Sequence, residues 1–209
     1  MKFYDCKTAP NPRRVRMFFA EKGLEVPTEQ VDLRGGEHLR DEFKAKNPDC
    51  TVPMLELDDG TCISESMAIC RYFEEVNPEP PLFGSTPTEK AQVEMWNRRF
   101  EHDGLFACAE AFRNSTPGFK SRAIPGPINF EQIPELAERG KARTQHFLEV
   151  LNDRLGESKF VAGDKFSVAD ITTLVSVDFA GWLKFKPQEE HVHLKRWYEE
   201  VSNRPSASA

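Results

Sequence analysis

Between Asn77 and Thr88 the chain carries four prolines, Pro78, Pro80, Pro81 and Pro87. Proline fixes φ and removes a backbone donor, so this run reads as a linker. It also divides two kinds of sequence. Before it, short apolar runs alternate with helical periodicity. After it, strand signals vanish. The pattern predicts a first domain over residues 1–77, a linker over 78–88 and an all-helical domain over 89–209.

In the first part, residues 2–5 read as a strand. Asn11-Pro12 opens a helix, with Asn11 as N-cap and Pro12 at the first helical position. Val15, Phe18 and Phe19 form its apolar stripe and Gly23 stops it. A second strand is expected near Glu29–Leu33. A polar helix follows over His38–Lys46, ended by Asn47-Pro48. Asp58-Asp59-Gly60 between Pro53–Leu57 and Thr61–Ile63 is a hairpin signal. Residues 65–75 are helical. Strand, helix, strand, helix, hairpin, helix implies a small mixed sheet with helices on its faces.

In the second part, Glu89–Phe112 has long helical periodicity through Val93, Trp96, Phe100 and Leu105. Residues 115–134 carry four prolines and two glycines and read as a long loop. Further helices are expected over Pro134–Leu155, from Ser167 onward and over Leu194–Val201. Ser167-x-x-Asp170, flanked by Phe166 and Ile171, is a capping box with a hydrophobic staple, a structural signal. The tail Ser206–Ala209 is expected to fray.

Bulk properties exclude several functions. Net charge is −6, which repels phosphate backbones, so no nucleic-acid partner is expected. No apolar run approaches the roughly 18–20 residues of a membrane span, so no membrane partner is expected. The polar start predicts no secretory leader. Cys6, Cys50, Cys62, Cys70 and Cys108 are odd in number and match neither a zinc frame nor a disulfide frame. Five reduced thiols point to a cytoplasmic location. His191-Val192-His193 lacks a ligand frame and reads as solvated helix residues, so no metal is expected.

The order of elements, together with several short motifs, resembles the cytosolic glutathione transferases over nearly the whole chain. The motifs are Ala9-Pro10-Asn11-Pro12-Arg13-Arg14-Val15 with Ala20-Glu21-Lys22-Gly23; Asn47-Pro48 with Thr51-Val52-Pro53-Met54-Leu55; Ile63-Ser64-Glu65-Ser66-Met67-Ala68-Ile69; and Val161-Ala162-Gly163-Asp164 with Phe166–Ile171. The resemblance implies an α/β thioredoxin-like N-terminal domain, an all-α C-terminal domain, glutathione as co-substrate and a homodimer. It implies conjugation of small hydrophobic electrophiles, a detoxification chemistry.

The resemblance also assigns residues. Family members carry a cis proline at Pro53, which presents the Val52 backbone to the cysteinyl part of glutathione. Glu65-Ser66 suits the γ-glutamyl end: a helix N-terminus and a Ser hydroxyl for its carboxylate, a Glu carboxylate for its ammonium group. The competing reading is an ordinary N-cap, Ser64 or Ser66, with a first-turn acid. His38 and Thr51 are candidates for the glycine carboxylate; His38 also reads as a solvated side chain.

At the sulfur the chain departs from the common pattern. Many classes place Ser or Thr where this chain has Ala9. Tyr4 lies too early for the tyrosine classes. Bacterial nu-type members use an Asn at the position of Asn11 beside a Thr, and an amide NH2 can donate to a thiolate. Asn11 is therefore the leading sulfur ligand and Thr8 the second. Cys6 is the rival, through a mixed disulfide, and Cys50 is a site for glutathionylation. An Asn site without a hydroxyl leaves open a disulfide or peroxide reductase. Ala9 also leaves open a glutathione- or partner-binding module with little catalysis.

Overall fold

The computed structural model describes residues 1–209. The chain divides into two compact units. The first holds Met1–Pro80 with Ile124–Asn129 and Ala209; the second holds Pro81–Ala123 and Phe130–Ser208.

In the first unit, β1 (Lys2–Asp5), β2 (Thr28–Gln30), β3 (Met54–Glu56) and β4 (Cys62–Ser64) form one sheet in the order β2-β1-β3-β4. The β1–β2 pair is parallel; β1–β3 and β3–β4 are antiparallel. Alternation along β1 splits the core. Phe3 meets Phe19 of α1 (Pro10–Lys22) edge-on at 5.2 Å, and Phe19 meets Phe73 of α3 (Ser66–Val76) at 4.8 Å. Tyr4 turns the other way, into a cluster with Val31, Met54 and Phe43 of α2 (Asp41–Lys46). β2 is shorter than the stretch Glu29–Leu33 suggested. Its three residues are exposed edge; Val31 just beyond keeps one bond to β1, its N–H donating to the Asp5 carbonyl at 2.7 Å, while its side chain packs with Phe43 of α2.

Gly23 ends α1 at φ 64, as a helix C-cap requires. The start of α1 differs from the sequence expectation. Ala9 is the N-cap, Pro10 and Pro12 both lie inside the first turn, and Asn11 is a helical residue between them. Proline is tolerated throughout the first turn because no N–H is needed there.

The second unit is helical: α4 (Pro87–Phe100), α5 (Phe106–Ser115), α6 (Pro134–Glu157), α7 (Val168–Trp182) and α8 (Val192–Ser202). Pro87 begins α4, inside the stretch read as linker, because Thr86 and Glu89 form a capping box there. The periodicity from 89 to 112 is not one helix. A π-turn at Glu101–Leu105 separates α4 from α5. At Gly104 a Cβ would sit 2.8 Å from the Phe147 ring, and at Gly140 one would sit 2.6 Å from the Ala111 nitrogen. Both glycines let α6 approach the α4–α5 segment closely.

Helix α7 is central, with twelve of its fifteen residues buried. Its buried hydroxyls are satisfied: Thr173 donates to the Ala169 carbonyl, Ser176 to the Thr172 carbonyl, and Thr172 to Asn97 Oδ1. The tail is not frayed. Pro205–Ser208 forms a 3-10 turn with Ser206 buried, and Arg204 stacks 4.0 Å from the Phe166 ring centre. His191 is also buried, not solvated; its Nδ1 accepts from the Gln188 N–H. No helix is long and apolar enough to cross a membrane.

Candidate functional site

Pro10 and Pro12 have no N–H, and the Arg13 N–H is bonded to the Ala9 carbonyl. The first turn of α1 therefore offers one unused backbone donor, that of Asn11. The Asn11 side chain lies beside it. Its Oδ1 accepts from Arg14 at 3.1 Å, and its NH2 group makes no bond within the chain. Asn11 thus concentrates the free donors of this helix N-terminus, where the helix dipole favours an anion.

Helix α3 starts beside it. Ser66 Oγ donates to the Asn11 carbonyl at 3.1 Å, joining the two helix N-termini. The Ser66 hydroxyl thus ties α3 to the backbone of the first turn of α1. Helix α3 also offers its first-turn N–H groups. Neither Ser64 nor Ser66 is the cap. Glu65 is, at φ 72 and ψ 123, with no side-chain capping bond. A non-glycine residue there costs about 1–3 kcal/mol, a strain found mostly at functional sites. Glu65 is exposed.

The sheet register adds Val52. Met54 pairs with Ser64 at the end of the β3–β4 ladder, so Val52-Pro53 runs into β3 where β4 hands over to Glu65 and α3. The Val52-Pro53 bond is cis. The Val52 N–H and C=O make no hydrogen bond within the chain, although Val52 is half-buried. Asn47, buried, holds the loop ahead of it. Its Nδ2 donates to the Thr51 carbonyl at 2.8 Å and its Oδ1 accepts from the Asp49 N–H at 3.2 Å. Sequence reading took Asn47 only as a helix end. An Asn before proline in a four-residue loop was the available signal, since Asn readily closes Asx turns.

The structure thus brings Asn11 and Ser66 together, with Glu65 next to Ser66 in the chain, while Val52 packs against the Tyr4, Val31, Phe43 and Met54 cluster. Thr8 lies just before the Ala9 N-cap in the β1–α1 turn, exposed, with Oγ1 3.6 Å from Cys6 Sγ. That turn is anchored by buried Asp5, which binds Arg16 at 2.5 Å; Arg16 also donates to the Lys7 carbonyl. His38 sits in the 3-10 turn Glu37–Leu39 and is buried, so the solvated reading does not hold. Tyr4 is unavailable: its hydroxyl donates to Glu56 and accepts from Lys46, both at 2.7 Å, and burial pushes its pKa up. Cys50 is 1% exposed and its thiol faces the Pro48 carbonyl, which corrects the expectation of glutathionylation. Burial pushes the thiols of Cys70 and Cys108 up to about 12 and about 11, leaving them inert. An open apolar depression of about 590 Å³, lined by Phe3, Phe19, Leu24, Val26 and Pro27 among others, includes none of the candidate residues.

Residues 8–76 match the model of the glutathione S-transferase N-terminal domain, and residues 114–205 match that of the C-terminal domain. Glutathione S-transferase 2 of Saccharomyces cerevisiae is 39% identical over 99% of this chain and 87% of its own length. The chain belongs to the glutathione S-transferase family. Solved members agree. A glutathione S-transferase domain-containing protein of Marinobacter aquaeolei superposes with a TM-score of 0.91 at 42% identity, over 99% of both chains. A Gtt2-class glutathione S-transferase of Vibrio parahaemolyticus gives 0.84 at 39%, over 99% of this chain and 94% of its own. This family member therefore has the thioredoxin-like N-terminal domain with a mixed sheet and the helical C-terminal domain.

Within this glutathione S-transferase fold, Asn47→Ala is expected to remove the support of Thr51 and Val52. One buried side-chain bond to a carbonyl is worth about 1–2 kcal/mol. Glutathione affinity should fall about tenfold, which 1.4 kcal/mol represents, while turnover at saturating glutathione changes less than twofold. Steady-state kinetics with glutathione varied checks the split.

Proposed function

We propose that the protein activates the thiol of glutathione and transfers it to small hydrophobic electrophiles, with Asn11 as the sulfur ligand. The observation that carries this reading is the junction of two helix N-termini at Asn11 and Ser66, in a unit where the peptide of Val52 makes no hydrogen bond within the chain. A peptide such as glutathione can pair its cysteinyl backbone with Val52 as an added strand does. Its γ-glutamyl carboxylate then meets the first turn of α3 and its ammonium group meets Glu65. Thr51 and His38 serve the glycine end. The sulfur falls to the first turn of α1.

The chemistry needed there is modest. A free thiol has a pKa of about 8.5, and lowering it by two units takes about 2.7 kcal/mol. Two donors on Asn11, N–H and NH2, together with the α1 dipole, are of that order. The same reading makes the protein a cytoplasmic homodimer in detoxification; five free cysteines suit a reducing compartment.

Asn11→Ala should keep glutathione binding within about threefold and lower conjugation of a chlorinated nitroarene about 10–100-fold, the equivalent of about 1.4–2.7 kcal/mol. Calorimetry and steady-state assays measure both. Full activity in the variant moves the chemistry to Thr8 or Cys6. Binding of glutathione without turnover in the wild type would make the protein a binding module.

One observation favours a second reading. Ala9 caps α1 with no hydroxyl, so the thiolate is held by amide donors alone. A weakly shielded thiolate suits attack on a disulfide or peroxide, with two glutathiones giving glutathione disulfide and no protein cysteine taking part. Faster turnover with a small disulfide than with the nitroarene would select it.

A further inference from the structure

The geometry points to Arg14 as a positioning residue that keeps the NH2 end of Asn11 turned toward the sulfur of glutathione. This rests on the reading of Asn11 as sulfur ligand. A carboxamide has two nearly isosteric ends, and only one of them stabilises a thiolate. With the oxygen outward, Asn11 would repel the thiolate it is meant to hold.

Arg14 removes that ambiguity. A guanidinium carries five donors and no acceptor, so the end of the amide that faces it must be the oxygen. Arg14 NH1 lies 3.1 Å from Asn11 Oδ1. Arg14 is 2% exposed, among the largest fully buried side chains in the protein, so this donor cannot swing away into water. Its charge also polarises the amide, which strengthens the NH2 as a donor. The backbone of the same residue is held by Ser66 Oγ at 3.1 Å. Asn11 is therefore clamped at its carbonyl and at its side-chain oxygen, and its free groups are all donors. Such fixed orientation matters because a donor that need not reorganise stabilises the anion in full.

The test is a titration of enzyme-bound glutathione, followed by thiolate absorbance, in wild type, Asn11→Ala, Arg14→Met, Arg14→Lys and the Asn11→Ala/Arg14→Met double variant. Arg14→Met should raise the bound thiol pKa by about one unit, a tenfold loss of thiolate. The double variant should match Asn11→Ala alone, because Arg14 acts through Asn11. Arg14→Lys should restore at least half of the shift. S-methylglutathione, which has no thiol to ionise, should bind all folded variants as it binds wild type. Asn11→Asp tests the orientation without disturbing Arg14: one carboxylate oxygen then faces the sulfur, and the thiol pKa should rise above that of Asn11→Ala. This arm decides the matter if Arg14→Met does not fold. An unshifted pKa in Asn11→Ala overturns the assignment of Asn11 itself. A raised pKa in Asn11→Ala with none in Arg14→Met, or an equal further rise in the double variant, overturns the role of Arg14 alone.

Discussion

Asp170→Ala is expected to lower the stability of the protein by about 5 kcal/mol, because it leaves three buried N–H donors unpaired at about 1–3 kcal/mol each. Asp170 is fully buried. Its Oδ1 accepts from the Val161 N–H and from Trp197 Nε1, both at 2.9 Å, and its Oδ2 from the Ser167 N–H at 3.0 Å and Ser167 Oγ at 3.1 Å. Burial, outweighing the four donors that favour the charged form, pushes its pKa up to about 6. One carboxylate thus caps α7, fixes the Phe160–Val161 segment and anchors α8 through Trp197. Asn cannot replace it, since its NH2 would confront a donor. Asp170→Asn should recover less than half of the loss. Urea unfolding followed by tryptophan fluorescence reads the effect. A change below 1 kcal/mol in Asp170→Ala would show that these bonds do not hold the unit together.

The second large effect is expected at the C-terminal ends of α1 and α3. Lys22 Nζ lies 2.6 Å from Glu74 Oε2, with the Lys22 side chain 0% and the Glu74 side chain 9% exposed. The same ammonium donates to the Asn77 carbonyl at 2.7 Å and stands 5.5 Å from the Phe18 ring centre. Removing one partner of a buried pair costs about 3–5 kcal/mol, because the remaining charge stays out of water. Glu74→Ala should therefore destabilise the protein by that amount. Replacing both by Met should cost far less, since a packed apolar pair needs no desolvation. A double-mutant cycle measures the difference. If Glu74→Ala and the double Met variant were equally unstable, packing volume and not charge would account for the loss.

Both sites bear on what a sequence discloses. The Asp170 box was legible because its signal is local: a capping Ser, an acid three residues on and flanking apolar residues. The hairpin at Asp58-Asp59-Gly60 and the helix stop at Gly23 were legible for the same reason. The Lys22–Glu74 pair was not. Its partners are far apart in sequence, and each alone reads as an ordinary surface charge. The start of α1 was misread because Asn is a better cap than Ala by intrinsic preference. Here the turn Cys6–Ala9, closed by the Ala9 N–H on the Cys6 carbonyl and anchored through Asp5 and Arg16, sets the start at Pro10 instead.

The linker prolines, the alternation of strands and helices before them and the loss of strand signals after them are enough to specify two unlike halves; the family was legible through the resemblance of short motifs such as Thr51-Val52-Pro53 and Ser64-Glu65-Ser66. Those features depend on near neighbours and on period, which the sequence displays directly. Only the tertiary structure decides how the candidate site is wired. It turns Asn11 from a cap into a clamped donor, ties the Ser66 hydroxyl to the Asn11 carbonyl, and buries Arg14 behind the amide. Each of these depends on which groups meet across the α1–α3 contact, and on which hydrogen bonds they have already spent before a ligand arrives.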